Sequence, residues 1–287
     1  MDEHLFIPLW LAGIFLIISD LNNPKIWKII VAGLICGVAA HIRTYAFAMG
    51  LVVFLLWILT RKNFRAAFLR GLLMQVLIIS LAVPWAIRNY HVFGKPVFYT
   101  TIVGMMLYYG NNPNLDPINP PLNEKGGDSR YLEARNEAFQ NEGGKKAAYE
   151  WITAHPREFL DRAVSRLFYN LGLDSEQWII TDNFNTIAPG HSPPSETSKK
   201  IFAQLDHNYY VVIFLLALLG LLIFLLNDKN NISRGGVWCL MLTLGYYLGM
   251  IALTVGHRKY RFVIEPLFCL IAAYGLYLLI WPQVKKN

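Results

Sequence analysis

Seven runs of apolar residues set the pattern of the chain, at about 5–19, 26–41, 46–60, 71–87, 209–226, 237–254 and 262–281. All are too long for strands, and the longest exceed an ordinary core helix, so each reads as a helix in apolar surroundings. A helix that crosses a bilayer needs about 20 residues. The first three runs are shorter and must recruit flanking Trp, Tyr or Asn residues. The second and third are separated only by His41-Ile42-Arg43-Thr44-Tyr45, which reads as a tight connection between two helices. The last three follow one another through short polar links. The segment 88–208 is too long for a simple connector and is predicted to fold as a unit of its own. The expectation is an all-α integral-membrane protein, a polytopic bundle of about seven transmembrane helices with one large extracytoplasmic loop domain. Its divisions are a four-helix half at 1–87, the loop domain at 88–208 and a three-helix half at 209–287.

Inside 88–208 the periodicity changes. Gly94-Lys95-Pro96 marks a turn, and Val97–Thr101 is a short strand-like run. Asn111–Asp128, rich in Pro, Asn and Gly, reads as irregular loop. Ser129–Ala154 reads as helix with a break at Gly143-Gly144. At His155-Pro156 one helix ends and another begins, because Pro is tolerated in a first turn but not in a helix interior. Phe159, Leu160, Ala163, Val164, Leu167, Phe168 and Leu171 then recur at helical spacing, with Asp161, Arg162, Ser165 and Arg166 mostly between them. That pattern fits a helix lying in the membrane interface, or one packed on its own small domain. Asn183–Lys200, with four prolines and glycines, reads as a loop leading back to the apolar runs.

Composition supports the membrane reading: the chain is 55% hydrophobic with 8 Trp, 15 Tyr and 17 Phe in 287 residues. The formal charge of +7 raises the question of nucleic acid. The basic residues sit in short loops beside apolar runs, which points to a membrane surface and away from nucleic acid. If the runs alternate, one side collects Lys25, Lys28, Arg61, Lys62, Arg65, Arg70, Lys229, Arg234, Lys285 and Lys286. The short loops of the other side hold Arg43, Arg258, Lys259 and Arg261. Ten against four assigns the first side to the cytoplasm and 88–208 to the outside of the inner or plasma membrane. Cys36, Cys239 and Cys269 lie within apolar runs without a paired spacing and read as small buried hydrophobes. No phosphate-binding loop, His-Glu-x-x-His helix, zinc-type Cys/His cluster or Gly-x-Ser-x-Gly elbow is present in the sequence.

The basic residues that run against this bias carry the candidate chemistry. Arg88, Arg258, Lys259 and Arg261 fall at outer ends of runs, where an Arg is costly unless paired. A lipid-linked phosphate is one partner, since a guanidinium fork matches phosphate oxygens. The other reading is snorkelling to headgroups, or pairing with Glu265 or Asp206. Asn111 and Asn112 could meet sugar hydroxyls through an amide's donors and acceptors, or could simply start a turn. His41 and Arg43 read as capping or interhelical hydrogen-bonding groups.

Two stretches resemble a known family. Pro84–Pro113, reading PWAIRNYHVFGKPVFYTTIVGMMLYYGNNP, is similar to the junction motif of bacterial GT-C glycosyltransferases of the protein-mannosyltransferase-like group. Arg258-Lys259-Tyr260-Arg261-Phe262-Val263-Ile264-Glu265-Pro266 resembles the same group's Arg-Tyr-Arg…Pro motif before its last helix. The resemblance implies transfer of a sugar from a polyprenyl-phosphate donor, in contact with membrane lipids, to a protein, lipid or cell-envelope glycan. It implies substrate-binding roles for Arg88, Asn89, Asn111, Asn112, Arg258, Lys259, Tyr260, Arg261 and Arg43. The family often has Arg-Pro where this chain has Arg43-Thr44. The family's catalytic acid, in a first outer loop, has no counterpart in this sequence, so the resemblance covers a carboxy-terminal portion. Asp2-Glu3-His4-Leu5-Phe6 resembles the start of a later helix bearing a second acid. Glu3 is therefore the residue carried over, to orient the acceptor or hold a divalent cation; a solvated acid is the plainer reading. Two further expectations remain open: a non-enzymatic lipid-carrier transporter or export component, and an enzyme of the O-antigen ligase or polymerase type.

Overall fold

All seven apolar runs fold as helices. The computed structural model describes residues 3–113, 137–171, 195–226, 231–255 and 260–284. In order these form α1 (Glu3–Asn22), α2 (Ile26–Ile42), a 3₁₀ turn (Thr44–Ala46), α3 (Met49–Arg61), α4 (Phe64–Phe93), α5 (Val103–Gly110), α6 (Glu137–Ala154), α7 (Pro156–Asn170), α8 (Glu196–Leu226), α9 (Asn231–Leu253) and α10 (Arg261–Val284). Among the described residues six helices are long and apolar enough to cross a membrane, α3 being counted with the 3₁₀ turn before it as the 18 residues Thr44–Arg61, and the chain is an integral membrane protein. The seventh, α2, is apolar but has only 17 residues. It ends at Arg43, whose backbone is extended (φ −144°, ψ 124°). The separation of α2 from α3 at His41–Tyr45 follows from that break.

The chain divides into two compact units, residues 1–167 with 229–257 and residues 168–228 with 258–287. In the first, α1 packs on α2 and α9, α4 on α2 and α3, and α3 on α9. Polar groups pin the ends of these helices. At one end Asp20, fully buried, accepts from the Lys25 backbone N–H at 2.8 Å and from Arg70 Nε at 2.9 Å. Lys28 Nζ donates there to Ser19 O, Ser19 Oγ and Asn23 O within 3.0 Å. At the opposite end Arg43 reaches Glu3 at 2.5 Å. The α3–α4 turn is capped by Asn63, whose side chain accepts from Ala66 N. Successive helices therefore run antiparallel, with one polar knot around Asp20 and another around Arg43.

In the second unit α8 packs on α10. Gly220 and Gly275 meet there so closely that a Cβ on Gly275 would lie 2.2 Å from the Gly220 Cα.

Several local expectations change. Val97–Thr101 is bent backbone, with no strand among the described residues, since no partner strand lies beside it to complete a ladder. Gly143-Gly144 does not break α6, which runs unbroken from Glu137 to Ala154. Its glycine permits close packing instead: a Cβ on Gly144 would sit 2.7 Å from the Gly104 carbonyl oxygen of α5. The last residues of the predicted loop at Asn183–Lys200 belong to α8. Ser195 Oγ accepts from the Ser198 N–H at 3.1 Å, an N-cap that starts the helix early. Residues 114–136 and 183–194, including Asp116 and Asp128, lie outside the described residues.

Candidate functional site

The sequence nominated Glu3 and Arg43, forty positions apart, and the fold joins them. Glu3 opens α1 and Arg43 follows α2, so the antiparallel packing of the two helices sets them side by side. Arg43 Nη2 donates to Glu3 Oε1 at 2.5 Å, and both side chains remain about a quarter exposed. Beneath the pair lies an aromatic cluster: Phe6 on Trp10 (5.4 Å between centroids), Tyr45 on Tyr247 (4.6 Å) and Trp10 on Tyr247 (6.1 Å).

The asparagines are committed to the scaffold. Asn89 is buried, donates to Val97 O at 2.8 Å and accepts from Arg88 Nη1 at 3.1 Å. Asn111 donates to Leu107 O and Leu253 O at 2.8 and 2.9 Å. Its Oδ1 faces Arg166, so both ends of the amide are occupied. Asn112 is buried as well. Arg88 is exposed near the end of α4, with its guanidinium 5.0 Å from the Trp85 ring and no carboxylate partner among the described residues.

Arg261, in the second unit, is buried between two carboxylates. Nη2 meets Asp206 at 2.5 Å and Nε meets Glu265 at 2.8 Å, while Tyr210 lies under the guanidinium at 4.3 Å. These are the two acids the sequence offered as alternative partners. Tyr260, half-buried, immediately precedes α10. Arg258 and Lys259 lie outside the described residues.

Arg166 is the functional-site neighbour that sequence reasoning left unassigned. Fully buried, it donates to Gly110 O and Thr254 O at 2.7 Å each and to Asn111 Oδ1 at 3.3 Å. It thereby ties α5, α7 and the end of α9 together. Burial, and then the Arg162 charge, lower its pKa to about 10, so it stays cationic at neutral pH. The signal was present: Arg166 sits three residues from Ala163 on what becomes the inward face of α7.

A cavity of about 630 Å³ opens at the Arg43 end of the first unit. Phe47, between the 3₁₀ turn and α3, Ile79 of α4, and Tyr246 and Met250 of α9 give it apolar walls, together with Val97 and Tyr99. Its charged lining comes from Lys95, Glu142 and Lys145. Tyr99 is fastened by donating to Ile78 O at 2.7 Å, and its ring packs on His41 and Phe47 at 5.1 and 5.5 Å. Burial pushes the Tyr99 hydroxyl pKa up to about 12. His41 Nε2 donates to Leu81 O of α4 at 3.1 Å, an interhelical bond. Lys95 pairs with Glu142 and lies 4.3 Å from the Phe139 ring. Lys145 has no ion-pair partner among the described residues, and one side of it is the cavity. The arrangement suits an amphiphile whose chain lies along the apolar walls and whose anionic group meets Lys145.

The Glu3 carboxylate, which the resemblance offered to a divalent cation, holds Arg43. Among the described residues no group of three or more His, Cys, Asp or Glu side chains could hold a metal ion. In comparison with known proteins no family model matches the chain, nor does any curated protein or solved structure.

Proposed function

We propose that the chain belongs to a membrane glycosyltransferase of the GT-C type. It takes a sugar from a polyprenyl-phosphate donor and delivers it to a protein, lipid or cell-envelope glycan. The observation that carries this reading is the apolar cavity with an ion-unpaired Lys145 on its wall, at the end of a membrane bundle. A polyprenyl phosphate has the matching halves, a branched hydrocarbon and an anion. The segment that builds one wall, from Lys95 to Val103, lies inside the stretch similar to the family's junction motif. The Lys and Arg imbalance supports an orientation with this end outside the inner or plasma membrane.

In the transfer, an acceptor hydroxyl oxygen attacks the sugar's anomeric carbon. The bond from that carbon to the phosphate oxygen breaks, polyprenyl phosphate leaves with the electron pair, and a carboxylate takes the hydroxyl proton. Glu142 is the carboxylate that lines the cavity. Lys145 would neutralise the leaving phosphate.

One observation favours a second reading, a protein that binds the lipid carrier without transferring sugar. Glu3, Glu142, Asp206 and Glu265 are each paired with a cation. The two readings separate by experiment. Purified protein in nanodiscs is given a polyprenyl-phosphate hexose, and binding and release of polyprenyl phosphate are followed together. A charge-assisted hydrogen bond is worth roughly 1.5–3 kcal/mol, so Lys145→Ala should weaken binding about 10- to 100-fold. Glu142→Gln should abolish transfer and spare binding. Binding without release by the native chain would favour the carrier reading. Unchanged binding in Lys145→Ala would overturn both.

A further inference from the structure

Helix α7 presents three faces that differ in kind. Ala163 and Arg166 point inward and are buried. Leu160, Val164 and Phe168, at i, i+4 and i+8, form a stripe that is 59%, 49% and 56% exposed. Glu158, Asp161 and Ser165 make a third, polar arc, also exposed. A helix packed only on its own domain would expose the polar arc and bury the stripe.

The level of the helix is fixed by its inward face. Arg166 Nη1 donates to Thr254 O, the residue that follows the membrane-spanning stretch Gly235–Leu253. The same guanidinium binds Gly110 O, and Asn111 beside it donates to Leu253 O. The axis of α7 thus lies within a side chain's length of the place where a membrane span ends. An exposed apolar stripe at that level meets the boundary between acyl chains and headgroups.

We propose that α7 is an in-plane membrane helix, with the Leu160–Val164–Phe168 stripe seated in the lipid interface and the Asp161–Ser165 arc in water. Its occupant is the bilayer itself, continuous with the lipid that surrounds α9. Arg157, at the exposed start of the helix, lies in line with the stripe at its amino-terminal end, where its stem can lie along lipid and its head reach phosphate. The consequence is positional: through Arg166 the bilayer surface sets the height of Gly110 and Asn111.

Spin labels on cysteines test this in nanodiscs. Cys36 and Cys239 are buried, so a Cys269→Ser background leaves the new sites to be labelled. The sites are Leu160→Cys, Val164→Cys, Asp161→Cys and Ser165→Cys, with Ala163→Cys as a control for the folded helix. Collisions with oxygen and with a water-soluble nickel chelate report depth. At 160 and 164 oxygen should dominate, with labels about 5–10 Å below the headgroups. At 161 and 165 nickel should dominate, and the label at 163 should be sheltered from both. Nickel access at 160 and 164 would place the stripe in water and overturn the assignment. Shelter from both reagents at 160 and 164 would mean that protein covers the stripe, which overturns it equally.

Discussion

Removing the carboxylate of Asp20 is the sharpest test of how the first unit is registered. Asp20 is fully buried and holds Arg70 Nε at 2.9 Å and the Lys25 N–H at 2.8 Å. Arg70 also lies 4.1 Å from the centre of the Trp57 ring, which packs its far side. Breaking a buried pair by deleting one partner costs about 3–5 kcal/mol, because the other charge stays behind. The Arg70 side chain keeps 16% exposure and its aromatic neighbour, so Asp20→Ala belongs at the lower end, about 3 kcal/mol. At about 2 °C per kcal/mol for a chain of this size, the midpoint of thermal unfolding should fall by roughly 6 °C. The assay is thermal denaturation in nanodiscs of Asp20→Ala, Arg70→Ala and the double variant. If the pair exists, the double variant should cost less than the two singles together by about 0.5–3 kcal/mol. Additivity within about 0.5 kcal/mol would show that the two groups do not meet. The side-chain link between α1 and α4 at that end would then be absent.

Two further outcomes follow from groups elsewhere. The Tyr99 hydroxyl has its pKa raised from 10.0 to about 12, so the folded chain keeps a proton that the unfolded chain gives up. That contribution is whole below pH 10 and is lost as pH rises through about 12; the stability advantage of the native chain over Tyr99→Phe should shrink over that window in alkaline denaturation series. In the second unit Gly275→Leu must push α8 from α10, lowering thermal stability by about 1–3 kcal/mol or more. Gly245→Leu, where an added Cβ meets nothing within 4 Å, should change little.

The helices were legible because their signal is local. The apolar runs, the break at His41–Tyr45 and the start of α7 at Pro156 each follow from neighbouring residues. The cavity was not, because its walls come from positions as distant as Phe47, Tyr99, Asn141 and Met250. No short stretch contains that juxtaposition. Gly143-Gly144 misled for a related reason: within the sequence a glycine pair weakens a helix, and only the approach of Gly104 shows what it permits. Arg261 shows a different limit. The sequence offered lipid phosphate, Asp206 and Glu265 as partners, and burial of the guanidinium with both acids is a tertiary fact. The asparagines at 89 and 111 likewise look free in sequence and are bound to backbone carbonyls in the fold.

The shortness of α2 bears on the lipid around it. Its outward stripe of Ile26, Trp27, Ile30, Leu34 and Val38 covers thirteen residues, a rise of about 18 Å at 1.5 Å per residue. The hydrocarbon core of a typical bilayer is about 30 Å thick. Acyl chains against this face must compress while those against α4, with 30 residues, need not. Hydrophobic mismatch at this face pinches the bilayer and draws headgroups inward along α2. Along α2, therefore, the protein is matched to a thinner bilayer than along α4.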